Sequence, residues 1–283
     1  MFTLFRCFLY TVLNNKIRLP ASDSGDDKLG SLVEVHNLGM KYHSKNGEVA
    51  ALKDINLSVG EGEFISIVGP SGCGKTTLLS LFAGLLMPSE GTITIGGRQA
   101  SESLHQVGYM LQKDHLFEWR TIQENVELGL EITHTLDDNT RSYVSVLLGT
   151  YGLADFKDKY PNQLSGGMRQ RAALIRTLAV NPRILLLDEA FSALDYQTRL
   201  AVSDDIYSII KRENKTAILV THDIAESISM ADRVVVLTKR PGTVKSIYDI
   251  TLTCKNRTPL NSREAPEFRH YFNMIWKDLD IHV

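Results

Sequence analysis

Residues 69–77 combine glycines, a lysine and two adjacent threonines in a spacing suited to holding a phosphate group. The stretch consists of Gly69, Pro70, Ser71, Gly72, Cys73, Gly74, Lys75, Thr76 and Thr77. Glycines let backbone N–H groups curl around an anion without Cβ clashes. The lysine ammonium can reach the β- and γ-phosphates of a nucleotide, and the first threonine hydroxyl can hold Mg²⁺. These residue types predict a nucleotide-phosphate site.

Two flanking segments must position this loop. Residues 64–68 form an apolar run typical of a buried strand, and residues 78–86 are typical of a helix. A strand, a glycine-rich loop and a helix that opens with Lys-Thr are the context that a P-loop requires. The positive end of the helix dipole adds to the attraction for an anion. We therefore interpret residues 69–77 as a P-loop.

A second apolar run, residues 184–187, ends in the carboxylates Asp188 and Glu189. A buried strand there would fix Asp188 beside the P-loop, where it can hold Mg²⁺ through water. Glu189, one residue further on, can orient and deprotonate the water that attacks the γ-phosphate. A strand that ends in acids is common, so this interpretation depends on the P-loop.

Residues 164–171 read Leu-Ser-Gly-Gly-Met-Arg-Gln-Arg and predict a second anion-binding turn. Ser165 is placed to cap a helix that runs from Gly166 to Ala179. Gly166 and Gly167 expose backbone N–H groups at its start. A chain with two phosphate sites can use one of each on a partner copy. The octapeptide resembles the signature motif of ATP-binding cassette (ABC) ATPases, which closes over the γ-phosphate bound at the other subunit's P-loop.

This resemblance covers residues 32–237 and implies roles for four more residues. Gln112 resembles the Q-loop glutamine, which reaches Mg²⁺ and the attacking water. Asp195 lies in a stretch similar to the D-loop at the dimer interface, and His222 resembles the switch histidine that contacts the γ-phosphate. Tyr42 resembles the aromatic residue that stacks on adenine. An active ATPase that uses ATP and Mg²⁺ is expected, with catalytic residues Glu189, His222, Lys75 and Gln112, and metal-site residues Thr76, Gln112 and Asp188.

Residues 112–122 resemble the Q-loop segment of nitrate, sulfonate and taurine importers. Trp119 and Arg120 match that branch, whereas Glu118 and Ala190 stand where proline is common. The resemblance implies a homodimer of ATPase subunits that is bound to integral membrane permease subunits. A substrate-binding protein would be an indirect partner, without direct contact with the ATPase. It also implies a peripheral location on the cytoplasmic face of the cell (inner) membrane.

Other functions remain open at this point. The ATPase of an exporter or of a lipoprotein-release system has the same fold, and residues 119–120 argue against it only in part. A non-transport ABC ATPase that acts on nucleic acid or the ribosome is less favoured. Residues 76–187, between Lys75 and Asp188, contain no heptad run of a coiled coil, and the chain carries one cassette. The net charge of −2 does not indicate a nucleic-acid partner.

The composition limits the class of protein and the compartment in which it is expected. The 283 residues are 43% hydrophobic and 23% charged, which is ordinary for a globular protein. Cys7, Cys73 and Cys254 are scattered and have no metal-ligand spacing, which favours a reducing compartment. No apolar run approaches the ~18 residues of a membrane-spanning helix, so another chain would have to span the membrane.

The order of segments predicts an α/β fold: a P-loop NTPase core with a mixed central sheet, an antiparallel β wing and a helical subdomain. We expect the ATPase domain at residues 32–250, with the helical subdomain at about 121–180 and antiparallel pieces at 32–35, 50–59, 91–97 and 107–111. Residues 1–31 are an extension and linker, either loosely ordered or starting with a helix on a membrane surface. Residues 251–283 are a helical tail packed on the domain or on a partner copy.

Overall fold

The computed structural model describes residues 31–44 and 47–279. Its strands are β1 (Val33–Ser44), β2 (Gly47–Val59), β3 (Phe64–Val68), β4 (Glu90–Ile95), β5 (Arg98–Gln99), β6 (Val107–Met110), β7 (Ile184–Asp188), β8 (Thr216–Val220), β9 (Arg233–Leu237) and β10 (Val244–Asp249). Its α-helices are α1 (Lys75–Phe82), α2 (Ile122–Ile132), α3 (Asp138–Thr150), α4 (Gly166–Ala179), α5 (Tyr196–Arg212), α6 (Ile224–Met230), α7 (Pro259–Ser262) and α8 (Phe268–Asp278).

The central sheet has the strand order β10-β9-β3-β8-β7-β6. The five strands from β9 to β6 are parallel, and β10 pairs antiparallel with β9 at one edge. The prediction of a mixed sheet is confirmed. Four neighbouring parallel strands, β3, β8, β7 and β6, end at the same edge, where ligands bind in open α/β sheets. This edge therefore receives the P-loop, His222, Asp188 with Glu189, and Gln112.

A smaller sheet of order β2-β1-β4-β5 is antiparallel throughout, as predicted for the β wing. The prediction for residues 107–111 was wrong, because β6 belongs to the central sheet and runs parallel to β7. The chain between these two strands contains α2, α3 and α4. Such a long helical crossover is what a parallel pair requires, whereas a short turn would suffice for an antiparallel pair.

Two of the helix predictions can be compared with the observed bounds. The helix that follows the P-loop ends at Phe82 rather than continuing to residue 86, because Gly84 has a left-handed φ of 65°. The helix from Gly166 to Ala179 has its predicted bounds. Its cap is Ser165, whose Oγ accepts a hydrogen bond from Met168 N at 3.3 Å.

The C-terminal helix α8 packs on its own chain, against α6. Ile275 is fully buried in this contact, and the hydroxyls of Tyr248 (2.6 Å) and Ser246 donate to the carboxylate of Asp278. Of the two expected partners for the tail, the structure therefore favours the domain itself. The alternatives for residues 1–31 concern residues that, apart from Ser31, lie outside the described part of the chain. Within that part, no helix combines the length and apolar character needed to cross a membrane.

Candidate nucleotide site

The predicted P-loop connects β3 to α1 at the carboxyl edge of the central sheet. Gly72 and Gly74 have φ values of 74° and 108°, which residues with a Cβ rarely adopt. A Cβ on Gly74 would also lie 2.7 Å from Leu52 Cδ2 on the β wing. Since the first four N–H groups of a helix have no intrahelical acceptor, this compact turn presents donors of α1 to an anion.

Lys75 lies inside the loop, with only 8% of its surface exposed. Its Nζ donates to the carbonyl oxygens of Gly69 at 2.7 Å and Pro70 at 3.0 Å. An ammonium group with three donors can make both contacts and still donate to a phosphate oxygen. The loop therefore encloses a positive charge where the sequence predicts phosphates.

Cys73 occupies the interior of the same loop and is 1% exposed. Burial raises the pKa of its thiol, and the nearby Lys75 opposes this only in part. Because the thiolate is the reactive form, we expect Cys73 to react with iodoacetamide at pH 7.5 more slowly than the half-buried Cys254. Bound ATP should slow this reaction further. Peptide mass spectrometry of timed samples measures both rates, and labelling of Cys73 at an unchanged rate with saturating ATP would contradict the placement of the loop.

Asp188 lies at the end of β7 and is 9% exposed. Its Oδ2 accepts a hydrogen bond from the hydroxyl of Tyr109 at 3.2 Å. Burial raises the pKa of the Asp188 carboxyl, and the charge of Glu189 adds to this. Hydrogen bonds from Tyr109 and Thr76 and the charge of Lys75 oppose it. A buried carboxylate is stabilised in its charged form by a nearby cation.

Glu189 lies between two of the predicted catalytic residues. Gln112 Nε2 donates to its Oε2 at 3.1 Å, and His222 Nδ1 lies 3.4 Å from its Oε1. Gln112 Nε2 also contacts Ser192 Oγ at 3.2 Å. The backbone of Glu189 is left-handed, with φ 47°, which turns the chain sharply after β7. The ends of β6, β7 and β8 thus bring an amide, a carboxylate and an imidazole together.

Tyr42 reaches the site from the β wing. Its hydroxyl lies 3.2 Å from Thr77 Oγ1 at the start of α1, and 38% of its surface is exposed. The contact fixes one end of the side chain beside the P-loop and leaves ring surface open. An exposed aromatic ring in this position can stack on a planar base.

The remaining predicted site residues are held by contacts with the helices α4 and α5. No hydrogen bond in the described part of the chain joins Ser165, Gly166 or Gly167 to residues 69–77. Gly167 packs against α5, where an added Cβ would lie 2.9 Å from Val202 Cγ2. Asp195 caps α5 by accepting from Thr198 N at 3.0 Å, and hydrogen bonds from Thr198 lower the pKa of its carboxyl.

The residues proposed for a metal fit Mg²⁺ chemically. Mg²⁺ prefers oxygen ligands, keeps several waters and is commonly held by one or two carboxylates together with substrate phosphates. The Thr76 hydroxyl and the Asp188 carboxylate interact at the P-loop, and burial raises the pKa of the Asp188 carboxyl. Gln112 contacts Glu189 and Ser192, and no hydrogen bond between described residues joins it to Asp188 or Thr76. No cluster of three His, Cys, Asp or Glu side chains suited to a metal occurs among residues 31–44 and 47–279.

Sequence reasoning missed Tyr109 as part of the site. It lies on β6, which the sequence did not place beside β7, and its ring carries a hydroxyl to Asp188 across the two strands. A tyrosine in an otherwise apolar strand was the available signal. The buried Asn125 was also missed. It donates to the carbonyls of Phe117 (3.1 Å), Arg120 (3.1 Å) and Thr121 (2.9 Å), and so holds the turn after Gln112.

Glu226, on the helix that follows His222, is a buried carboxyl outside the cluster. Burial raises its pKa from 4.5 to about 7, against a hydrogen bond from Thr221. The unfolded chain loses this proton near pH 4.5, so the free energy of unfolding falls as pH rises towards 7. The change from 4.5 to about 7 corresponds to about 3 kcal/mol at most.

Glu226→Gln removes this titration. We expect the variant to gain stability relative to the parent between pH 5 and pH 8, measured by urea unfolding at both values. An equal stability difference at the two pH values would contradict the assignment. Glu264→Gln, which changes an exposed glutamate, is the control.

The fold and the site define a class of nucleotide-hydrolysing enzyme, and comparison with known proteins gives the family. A model of the ABC transporter family matches residues 52–192. Two dimeric structures of the ATP-binding cassette MJ0796, one described as a post-hydrolysis state bound to ADP and Pi, superpose with TM-scores of 0.66 and 0.67 at 31% identity. They cover 77% of this chain and 99% of the cassette. The chain belongs to the ABC transporter ATP-binding proteins and is an ATPase.

Three relatives show which ABC transporter ATP-binding proteins this chain is similar to. The chain is 48% identical over 88% of its length to an uncharacterized ABC transporter ATP-binding protein, YtlC of Bacillus subtilis, 96% of which is covered. It is 40% identical to the nitrate import protein NrtD of Synechocystis (86% of this chain, 93% of the relative). It is 37% identical to the taurine import protein TauB of Roseobacter denitrificans (86% and 94%).

Proposed function

We propose that this ATPase powers import of small anionic or zwitterionic solutes such as nitrate, sulfonates or taurine, through ATP-driven closure of a homodimer. The observation that carries the proposal is the position of Gln112. Its amide contacts Glu189 in the site, and the segment that follows it leads within seven residues to the exposed Trp119. One short segment therefore joins the hydrolysis site to a surface that a membrane subunit can contact.

In the proposed reaction, each residue acts on MgATP from a fixed place. Lys75 and the N–H groups at the start of α1 bind the phosphates, with Thr76 and Asp188 around Mg²⁺. Glu189 accepts the proton of the attacking water, and Gln112 and His222 hold that water and the γ-phosphate. Tyr42 stacks on the base. Mg²⁺ supplies positive charge that neutralises the phosphates.

The separation of Ser165, Gly166 and Gly167 from the P-loop of the same chain supports closure between two copies. A capped helix start with exposed N–H groups attracts an anion, and in this chain it does not close on its own P-loop. The structural relatives are dimers by their description. We infer that Ser165 of one copy covers the γ-phosphate bound by the other, and that Asp195 lies at the interface.

The turn at residues 117–121 supports a membrane partner. Trp119 is 73% exposed and stacks on Phe117 with ring centroids 4.8 Å apart, while the fully buried Asn125 fixes the backbone beneath it. A rigid, exposed aromatic side chain is typical of a contact surface. We infer that permease subunits bind here, with the ATPase on the cytoplasmic face of the membrane and the substrate-binding protein acting through the permease. NrtD and TauB favour import over export by their names.

Reconstitution tests the proposal. The chain is placed in liposomes with candidate permease subunits and a substrate-binding protein, with ATP on the side of the ATPase. Nitrate, taurine or an alkanesulfonate with its binding protein should stimulate hydrolysis and accumulate on the ATPase side. Transport away from the ATPase side would favour an exporter and contradict the proposal.

Trp119→Ala tests the membrane contact separately. It should reduce co-purification with the permease while ATP binding by the isolated chain is retained. Trp276→Ala is the matched control, because Trp276 is also partly exposed (37%) but lies on α8, away from this turn. Equal co-purification of both variants would contradict the assigned surface.

A further inference from the structure

Arg176 connects the segment after Gln112 to α4, the helix that begins within the signature motif. Arg176 donates from Nη1 to the carbonyl of His115 and from Nη2 to the carbonyl of Asp114, both at 2.7 Å. Burial lowers the pKa of its guanidinium to about 10, so the group stays charged at neutral pH. These two charge-assisted hydrogen bonds to backbone carbonyls hold residues 114–115 against α4.

A second arginine joins the same segment to the very start of α4. Arg169 Nε donates to the carboxylate of Asp114 at 3.1 Å, and Arg169 Nη1 donates to the carbonyl of Leu164 at 2.8 Å. Leu164 directly precedes the cap residue Ser165, and Arg169 N donates to the carbonyl of Ser165 at 3.0 Å. The Arg169 guanidinium therefore connects Asp114 to the carbonyl of Leu164, the residue directly before the cap Ser165.

The two contacts differ in how easily they can change. Arg176 is partly buried and is bound to two backbone carbonyls, whereas Asp114 and Arg169 pair through side chains that are 26% and 34% exposed. Separating Arg176 from the carbonyls of Asp114 and His115 would break two charge-assisted hydrogen bonds at a partly buried site. The ion pair between Asp114 and Arg169, called the outer pair below, can be broken and solvated at little cost. The outer pair is thus the adjustable part of the connection.

We propose that Asp114 is a positioning residue that acts through Arg169 to set how Ser165 is presented to the nucleotide of a partner copy. The inference rests on the proposed closure of two copies. In this inference the Asp114–Arg169 pair couples the position of the surface around Trp119 to the position of Ser165, which each copy contributes to the nucleotide site of the other. Asp114 and Arg169 affect pairing of the copies and leave the P-loop of their own copy unchanged.

A double-mutant cycle tests this in full-length chain carrying Glu189→Gln, so that ATP persists. Asp114→Ala, Arg169→Ala and the double variant are compared by two measurements. Titration with a fluorescent ATP analogue at low protein concentration gives nucleotide affinity. Sedimentation velocity with MgATP gives the dimer dissociation constant. Glu61→Ala is the control, since it removes a comparable ion pair with Arg183 (2.9 Å) away from the segment.

Each single variant should weaken ATP-dependent dimerisation by about fivefold or more, with nucleotide affinity within about twofold of the parent. Because Asp114 acts through Arg169, the dimer dissociation constant of the double variant should not exceed that of the more strongly affected single variant. Additive losses, unchanged dimerisation, or equal losses in Glu61→Ala would overturn the inference. A parent that stays monomeric with MgATP would instead contradict the proposed function, and the inference with it.

Discussion

Glu189→Gln is expected to lower ATP hydrolysis by about 10²–10⁴-fold while ATP binding stays close to that of the parent. The carboxylate lies between Gln112 (3.1 Å) and His222 (3.4 Å), and it touches no residue of the P-loop through a hydrogen bond in the described chain. Glutamine has the same shape and can still accept a hydrogen bond from Gln112, but it cannot accept the proton of the attacking water. The substitution therefore removes the base and preserves the binding site.

The measurement is steady-state phosphate release together with calorimetric titration of ATP. Glu264→Gln changes an exposed glutamate outside the site and should behave as the parent. Turnover of the Glu189→Gln variant at the parental rate would refute Glu189 as the base. Loss of both binding and hydrolysis would mean that the carboxylate is needed for the shape of the site.

Lys75→Ala is expected to weaken ATP binding by about 100-fold. The one Nζ donor that remains for a phosphate oxygen makes a hydrogen bond between charged groups, worth about 3 kcal/mol, which corresponds to about 100-fold. The apo protein should also lose stability, because the carbonyls of Gly69 and Pro70 lose their shared donor. The loss of that donor for a buried carbonyl costs about 1–3 kcal/mol.

Calorimetric titration measures the loss of affinity, and urea unfolding of the apo protein measures the loss of stability. Lys53→Ala is the control, since Lys53 is an exposed lysine on β2 near the same loop. An ATP affinity within about threefold of the parent would show that Lys75 serves only to close the loop. Loss of stability alone would then be its whole effect.

Local sequence patterns predicted the parts of the site that depend on one strand and the residues that follow it. The glycines and Lys75 could be assigned because a phosphate loop has strict backbone demands. Parallel strands also end at one edge of a sheet, so the ends of β7 and β8 could be expected near the loop. Glu189 and His222 were expected at this edge for the same reason, whereas Gln112 was assigned only through the family resemblance; in the structure Gln112 and His222 both contact Glu189.

Contacts between side chains distant in sequence could not be predicted in the same way. The hydroxyl of Tyr109 meets Asp188 only because β6 crosses back to lie parallel to β7, which the pattern of residues 107–111 does not reveal. Similarly, nothing near Arg176 in the sequence indicates that its acceptors lie at residues 114–115. The edge strand β10 was missed because its residues alternate only between partly buried and exposed.

The central claim is that each nucleotide site is completed by a second copy, through Ser165. Sedimentation velocity of the Glu189→Gln variant tests it most directly. The variant should sediment as a dimer with MgATP and as a monomer with MgADP, and adding Ser165→Arg should return it to a monomer with MgATP. A monomer with MgATP, or a dimer that forms equally well with Ser165→Arg, would contradict the claim.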